Sequence, residues 1–326
     1  MAGHISGYAS RRGHGGTRPV AKGVFTHKPL SRYDDVPWEH YHFPRTYLRT
    51  VERIVGDLVV YYEPGRLGLG DARGGREAYV AVARVVDVVP DPERADHFYG
   101  RIEPGSYLEF VQPVPFRIGG RCLERRLEKR EGTVNRGAFG RAVRLLEEDE
   151  FEAICRLGFG GLPPQVVEAA RAAEVDAPGL AEAPVPFEVE RPITELLAHR
   201  PLRDRAFADR VVAAYEGRCA ITGIALRNGR GRPEVEAAHI RPVAAGGPDT
   251  VRNGLALSRT VHWMFDRGLI TLDDDFRLVL SRRAELPEEL RGLLVPDRPV
   301  RLPGHPADRP HPAFLAWHRE HVFLGS

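Results

Sequence analysis

The chain is poor in the residues that cross-link or anchor a protein. Cysteine occurs three times in 326 residues, as Cys122, Cys155 and Cys219, each alone and none in a C-x-x-C pair. That excludes a disulfide framework and a zinc-stapled domain, and fits a reducing cytoplasm. No apolar run approaches the roughly twenty residues needed to cross a bilayer, so no membrane partner is expected. Bulk charge is small as well, with 47 basic against 45 acidic residues and a net charge of +2. Lysine is confined to Lys22, Lys28 and Lys129, so nearly every cation is an arginine. Arginine grips phosphate and guanine bidentately, although GC-rich coding explains the bias more simply. There is no internal repeat. Residues 1–22 are rich in Gly, Arg and His without an apolar core, which predicts a disordered tail rather than a secretory signal.

What is present is concentrated near the C-terminus. His239 ends a short apolar strand, Asn253 follows behind the Gly246-Gly247 turn, and His262 opens a helix. Hydrolysing a phosphodiester needs a base for water, a cation on the phosphate, and a scaffold that holds both in register. An imidazole titrates near neutrality, so His239 suits the base. His262 suits a metal ligand, and the Asn253 amide can bond backbone across the connecting loop. Asp266, four residues after His262, shares its helical face and is either a second ligand or a helix salt bridge. Strand alternation puts Glu236 on the face opposite His239, which makes it a poorer ligand.

This stretch resembles the HNH endonuclease family, whose metal-binding core is a ββα unit. The flanking Cys219-Ala-Ile-Thr-Gly223, Asn253-Gly-Leu-Ala-Leu257 and Phe265-Asp-Arg-Gly268 fall where the family places similar residues. The resemblance implies one Mg2+ or Mn2+ per active site, with His239, Asn253 and His262 as the catalytic set. One departure stands out: many members carry Asp before the first histidine, where this chain has Ala238. Arg241 and Arg252 lie close enough in sequence to grip the flanking phosphates.

The N-terminal half reads as short strands. Residues 56–62 and 78–89 are β-branched and aromatic, and 107–111 and 114–117 look like further strands. The acidic-apolar run 144–154 predicts a closing helix. Tyr41-His-Phe-Pro-Arg45, Gly56-Asp-Leu-Val-Val-Tyr61, the 79–86 strand and residues 137–144 are similar to the PUA superfamily, and more narrowly to its EVE, ASCH and SRA-like domains, which bind modified bases. A base reader needs an aromatic-walled pocket. Trp38, Tyr41 and Phe43, in a Pro-bounded loop, are the expected walls, and Asp34 or Asp35 the acceptor for a base amino group. Tyr61 and Tyr79 are expected in the core.

The chain is therefore expected to be an α+β protein of two domains: a PUA-like β-barrel with flanking helices over 23–160, an Ala-, Glu- and Pro-rich linker over 161–194, and an HNH domain over 195–326. Joined, the halves imply a cytoplasmic, modification-dependent restriction endonuclease acting on double-stranded DNA with a modified cytosine, as a homodimer or transient dimer. Two rivals are a modification-independent nuclease or nickase with a general nucleic-acid-binding N-terminal module, and a catalytically dead reader, for which Ala238 is the encouragement.

Overall fold

A computed structural model describes residues 21–29, 33–66, 74–160, 197, 200–294 and 299–325. The expected linker 161–194 and residues 1–20 of the expected tail lie outside this set. Lys22, the last residue of the expected tail, opens the first strand.

The N-terminal half is built on a mixed sheet of seven strands. These are β1 (Lys22–Thr26), β2 (His40–Pro44), β3 (Leu58–Glu63), β4 (Ala78–Pro90), β5 (His97–Ile102), β6 (Leu108–Pro115) and, past a two-residue hairpin of β7 (Arg117–Ile118) and β8 (Arg121–Cys122), β9 (Val143–Leu146). The order is β2-β5-β4-β3-β1-β9, with β6 on β4 and β1 parallel to β3. The expected closed barrel is not formed. The end strands β2 and β9 do not pair; Tyr41 spans the gap instead, its hydroxyl donating to the carbonyls of Thr26 and Ala142. Residues 107–111 and 114–117, expected as two strands, fall mostly in the single β6, while Arg117 opens β7.

Every residue of β3 is buried, as in a strand covered on both faces. Val59 and Tyr61 face one core, and Leu58, Val60 and Tyr62 face the other. Short helices α1 (Leu48–Glu52) and α2 (Arg136–Phe139) flank the sheet, and α3 (Glu148–Phe159) covers the second core with Phe151, Ile154 and Phe159. The helix expected from residue 144 thus starts late. Glu147 and Glu150 form a capping box that fixes its start, while Arg144 stays in β9. The Arg144 guanidinium is buried and bonds both oxygens of Glu124, so the strand assignment also satisfies a buried charge.

The C-terminal half begins with α4 (Arg200–Ala214), which joins the two cores: Leu202 and Ala206 enter the α3 core, and Phe207 and Val211 the other. β10 (Glu236–His239) and β11 (Gly254–Leu257) form an antiparallel pair, and α5 (Arg259–Asp266) follows directly. A second hairpin, β12 (Ile270–Leu272) and β13 (Leu278–Leu280), a short α6 (Glu288–Arg291) and a terminal α7 (Pro312–His321) complete it. One apolar cluster runs from Phe25 in β1 to Phe314 and Leu315 in α7, so the two halves share a core. No helix among the described residues is long and apolar enough to cross a membrane.

His318 of α7 fixes α5 from below. Its ring stacks on Phe265 at 3.8 Å, and its nitrogens contact the Phe265 carbonyl at 3.1 Å and Thr271 Oγ1 at 2.9 Å. Burial pulls its pKa down to about 4. The unfolded chain therefore takes up a proton near pH 6.5 that the folded chain refuses until about pH 4, and stability falls with pH across that window. Thermal or urea unfolding between pH 8 and pH 5 should show a loss of about 2 kcal/mol from this group. His318→Gln should flatten that part of the curve; an unchanged pH dependence contradicts the assignment.

Candidate active site

The local chain path of the site follows from a few backbone demands. β10 runs into a turn where Gly246 adopts φ +80° and Gly247 passes so close to β10 that a Cβ there would lie 1.9 Å from the Arg241 carbonyl oxygen. Asn253 closes this loop from inside. Fully buried, it accepts from the Arg241 N–H at 2.9 Å and donates to the carbonyls of Arg241 at 2.9 Å and Pro248 at 3.0 Å. Its amide is spent on backbone, so it shapes the site without facing a substrate.

On β10, residues 237 and 239 point one way and 238 the other. Ala237 and His239 line a cleft of about 390 Å3, together with Arg200, Pro242, His262, Asp266 and His318. Ala238 is fully buried opposite Leu255. A carboxylate at 238 would point into the apolar core rather than into this cleft, so alanine there follows from the packing.

The His239 ring lies flat on Phe207 of α4, centroids 3.8 Å apart and planes 11° from parallel. Its Nε2 is 3.0 Å from Asp249 Oδ1. Burial raises the Asp249 pKa, but the bond from His239 and the charges of Arg203 and Arg200 outweigh it and hold the carboxyl below its ordinary range. An ionised carboxylate can only accept, so Nε2 carries the proton and Nδ1 is left as the basic nitrogen. Among the described residues Nδ1 has no hydrogen-bond partner. Asp249 was not singled out from the sequence; its signal was its place in the Gly-Gly turn, four residues before Asn253.

His262 lies between two carboxylates. Nδ1 is 3.3 Å from Glu236 Oε2, and Nε2 is 3.4 Å from Asp266 Oδ2. Glu236 reaches His262 despite its unfavourable strand face, because β10 is only four residues long and α5 starts beside its first residue. Asp266 lines the cleft and Glu236 does not. Among the described residues no three His, Cys, Asp or Glu side chains cluster at metal-binding spacing. One imidazole nitrogen and one carboxylate in an open cleft fit a hard divalent cation that keeps most of its water and takes phosphate oxygens as further ligands.

The N-terminal candidates fall elsewhere. Tyr41 and Phe43 belong to β2 rather than to a loop, and both are buried; Tyr41 stacks on Phe25 at 4.2 Å. Asp35 accepts from the His42 N–H at 2.8 Å and faces His27. Trp38 is 7% exposed, covered by Tyr107, His311 and Phe314. Arg252 lies over its ring at 5.8 Å, in the seam between the halves rather than on the surface. Trp38 of the expected base pocket and one expected phosphate ligand thus pack against each other. Arg241 remains at an opening, its Nε bonded to the Ala245 carbonyl. It lines an inter-half cleft of about 850 Å3 with Trp38, Asp34, His40, Tyr99 and Arg101.

Comparison with known proteins agrees with the C-terminal geometry. Residues 219–273 match the HNH endonuclease family model HNH_2. No curated protein matches the chain. Among solved structures, "Modification dependent TagI restriction endonuclease" is similar at 16% identity and TM-score 0.29, covering 92% of this chain and 81% of that one. "Structure of the Type IV phosphorothioation-dependent restriction endonuclease ScoMcrA" is similar at 16% identity and TM-score 0.19, covering 74% of this chain and 48% of that one. At these TM-scores neither likeness bears on the arrangement of this chain. The family match does: residues 219–273 are an HNH endonuclease domain, and the chain carrying it is a DNA endonuclease.

Proposed function

We propose that this chain is a modification-dependent restriction endonuclease, in which His239 is the general base and the N-terminal half reads a modified cytosine. The observation that carries the catalytic reading is the free Nδ1 of His239, held by Phe207 and Asp249, in one cleft with His262 and Asp266.

His239 Nδ1 takes a proton from water; the water oxygen attacks phosphorus in line, and the P–O3′ bond breaks. The departing O3′ takes a proton from solvent, so the products are a 5′ phosphate and a 3′ hydroxyl, and His239 returns its proton to water. His262 Nε2 and Asp266 would hold a Mg2+ or Mn2+ ion, with Glu236 orienting the His262 ring through Nδ1. When bound, the ion neutralises charge on the phosphate and on the departing oxygen. Asn253 keeps the loop closed, and Arg241 offers a phosphate contact. One such site cuts one strand, so a double-strand break takes two copies.

For the reader, the supporting feature is the 850 Å3 cleft, whose volume lies within the roughly 300–1,000 Å3 of ligand pockets. Tyr99 is half-exposed in its wall, stacked on His42 at 4.7 Å, with His40 edge-on at the same distance. This rigid aromatic wall suits a flipped base, and the exposed Asp34 on the rim suits its exocyclic amino group.

Two measurements check this reading. Isothermal titration with Mn2+ should show affinity falling at least about tenfold for Asp266→Ala, the usual cost of losing a ligand or its support, with a smaller loss for Glu236→Ala; equal binding by wild type and Asp266→Ala places the ion elsewhere. Plasmids carrying methylated, hydroxymethylated or unmodified cytosine should be cut in Mg2+ or Mn2+ only when modified. His239→Ala should slow cutting by about a hundredfold to ten-thousandfold while DNA binding persists. Equal cutting of all three plasmids favours the modification-independent nuclease, and binding of modified DNA without any cutting by wild type favours the dead reader.

A further inference from the structure

Asp249 does more than touch His239. Its second oxygen, Oδ2, receives Arg203 Nη2 at 3.1 Å and Nε at 3.2 Å, with Arg200 Nη1 at 3.6 Å. The carboxylate is almost wholly buried and Arg203 nearly so, which means that both charges depend on this pairing. Arg203 then spends its remaining donors on the N-terminal half: Nη2 donates to the Tyr107 carbonyl at 2.9 Å and Nη1 to the Ser106 carbonyl at 3.4 Å. These carbonyls lead directly into β6, and the next residue, Leu108, pairs with Asp249 in a parallel bridge. One residue further on, Glu109 accepts from Thr250 Oγ1 at 2.6 Å and from the Val251 N–H at 3.2 Å. The loop that carries Asp249 is therefore fastened to β6 at Leu108 and Glu109, and through Arg203 to the two carbonyls that precede the strand.

We propose that Asp249 and Arg203 are positioning residues for His239, which fix its tautomer and couple its orientation to the N-terminal sheet. Asp249 anchors the Nε2 proton, leaving Nδ1 for water; Arg203 holds the Asp249 carboxylate against the ring, and its hold on the 106–107 carbonyls makes that placement depend on where β6 lies. A movement of β6, the edge through which the N-terminal half meets the nuclease, would change the base as well as the distance to the cut. The inference rests on His239 being the base.

The groups that face this pair are few. Asp249 meets His239 from β10 and Arg203 and Arg200 from α4; His239 meets Phe207 and, across the cleft, Arg200, His262, Asp266 and His318. Asp249 is the carboxylate bonded to the His239 ring, and Arg203 acts on that ring through it.

Imidazole 15N shifts of the full-length protein, without metal or DNA, read this directly, with His239→Ala giving the assignment. Wild type should show the Nε2–H form at neutral pH. Asp249→Asn should give a tautomer mixture, because a neutral amide can accept from Nε2–H or donate to a bare Nε2. Arg203→Met should also give a mixture, because the Asp249 carboxylate then loses the cation that holds it against the ring. Cleavage should fall about a hundredfold or more in Asp249→Asn with DNA affinity retained, the pattern of a base in the wrong tautomer. A pure Nε2–H form in both variants, with activity lost only in proportion to folded protein, overturns the proposal. If Asp249→Asn does not fold, Arg203→Met decides alone: a pure Nε2–H form with wild-type cleavage per folded molecule overturns it. Normal cleavage by His239→Ala sinks the assignment of the base and leaves the tautomer result standing, so the two failures are distinguishable.

Discussion

A buried carboxylate that cannot be left unpaired organises the centre of this molecule. Asp249 satisfies its charge with Arg203 and its hydrogen bond with His239, and without Arg203 the buried carboxylate would keep only Arg200, 3.6 Å away, as a counter-charge. The same seam repeats the device: Glu109 faces Arg210, Arg210 pairs with Asp308 at 2.6 Å, and Arg76 pairs with Glu63 at 2.6 Å. Burial raises the Glu109 pKa and outweighs Arg210. A seam of this kind adds little net stability compared with apolar packing, but it admits few alternative alignments, and alignment is what a base aimed at a phosphorus atom requires.

The nuclease core was legible in the sequence because its determinants are local. His239, Asn253 and His262 fall within one ββα unit, whose turn is written in Gly246 and Gly247 beside them. Spacing alone was enough to say that Asn253 bonds across the loop and that Asp266 shares a face with His262. Glu236 was harder to read, because alternation along a strand ignores a helix that begins at the strand's end.

The N-terminal aromatics were misread for the opposite reason. Trp38 looks exposed until α7 arrives from more than 270 residues away, bringing His311 and Phe314 over it. Arg252 looks like a surface cation until that same tryptophan covers it. Tyr41 and Phe43 sit in a segment short enough and rich enough in proline to read as a loop, yet backbone pairing with β5 makes it a strand. Asp249 escaped notice because an aspartate in a Gly-Pro turn reads as a turn former; only the fold shows that its side chain points at the histidine.

These contacts make the two halves one cooperative unit, held at the junction of β6 with the 249–253 loop. Native-state hydrogen exchange tests this most directly. Amides of β6 (Leu108–Pro115) and β10 (Glu236–His239) should open with the same free energy, since neither side of the seam can be exposed alone. Opening energies that differ by more than about 1 kcal/mol, with the nuclease pair exchanging while β6 stays protected, would contradict the account.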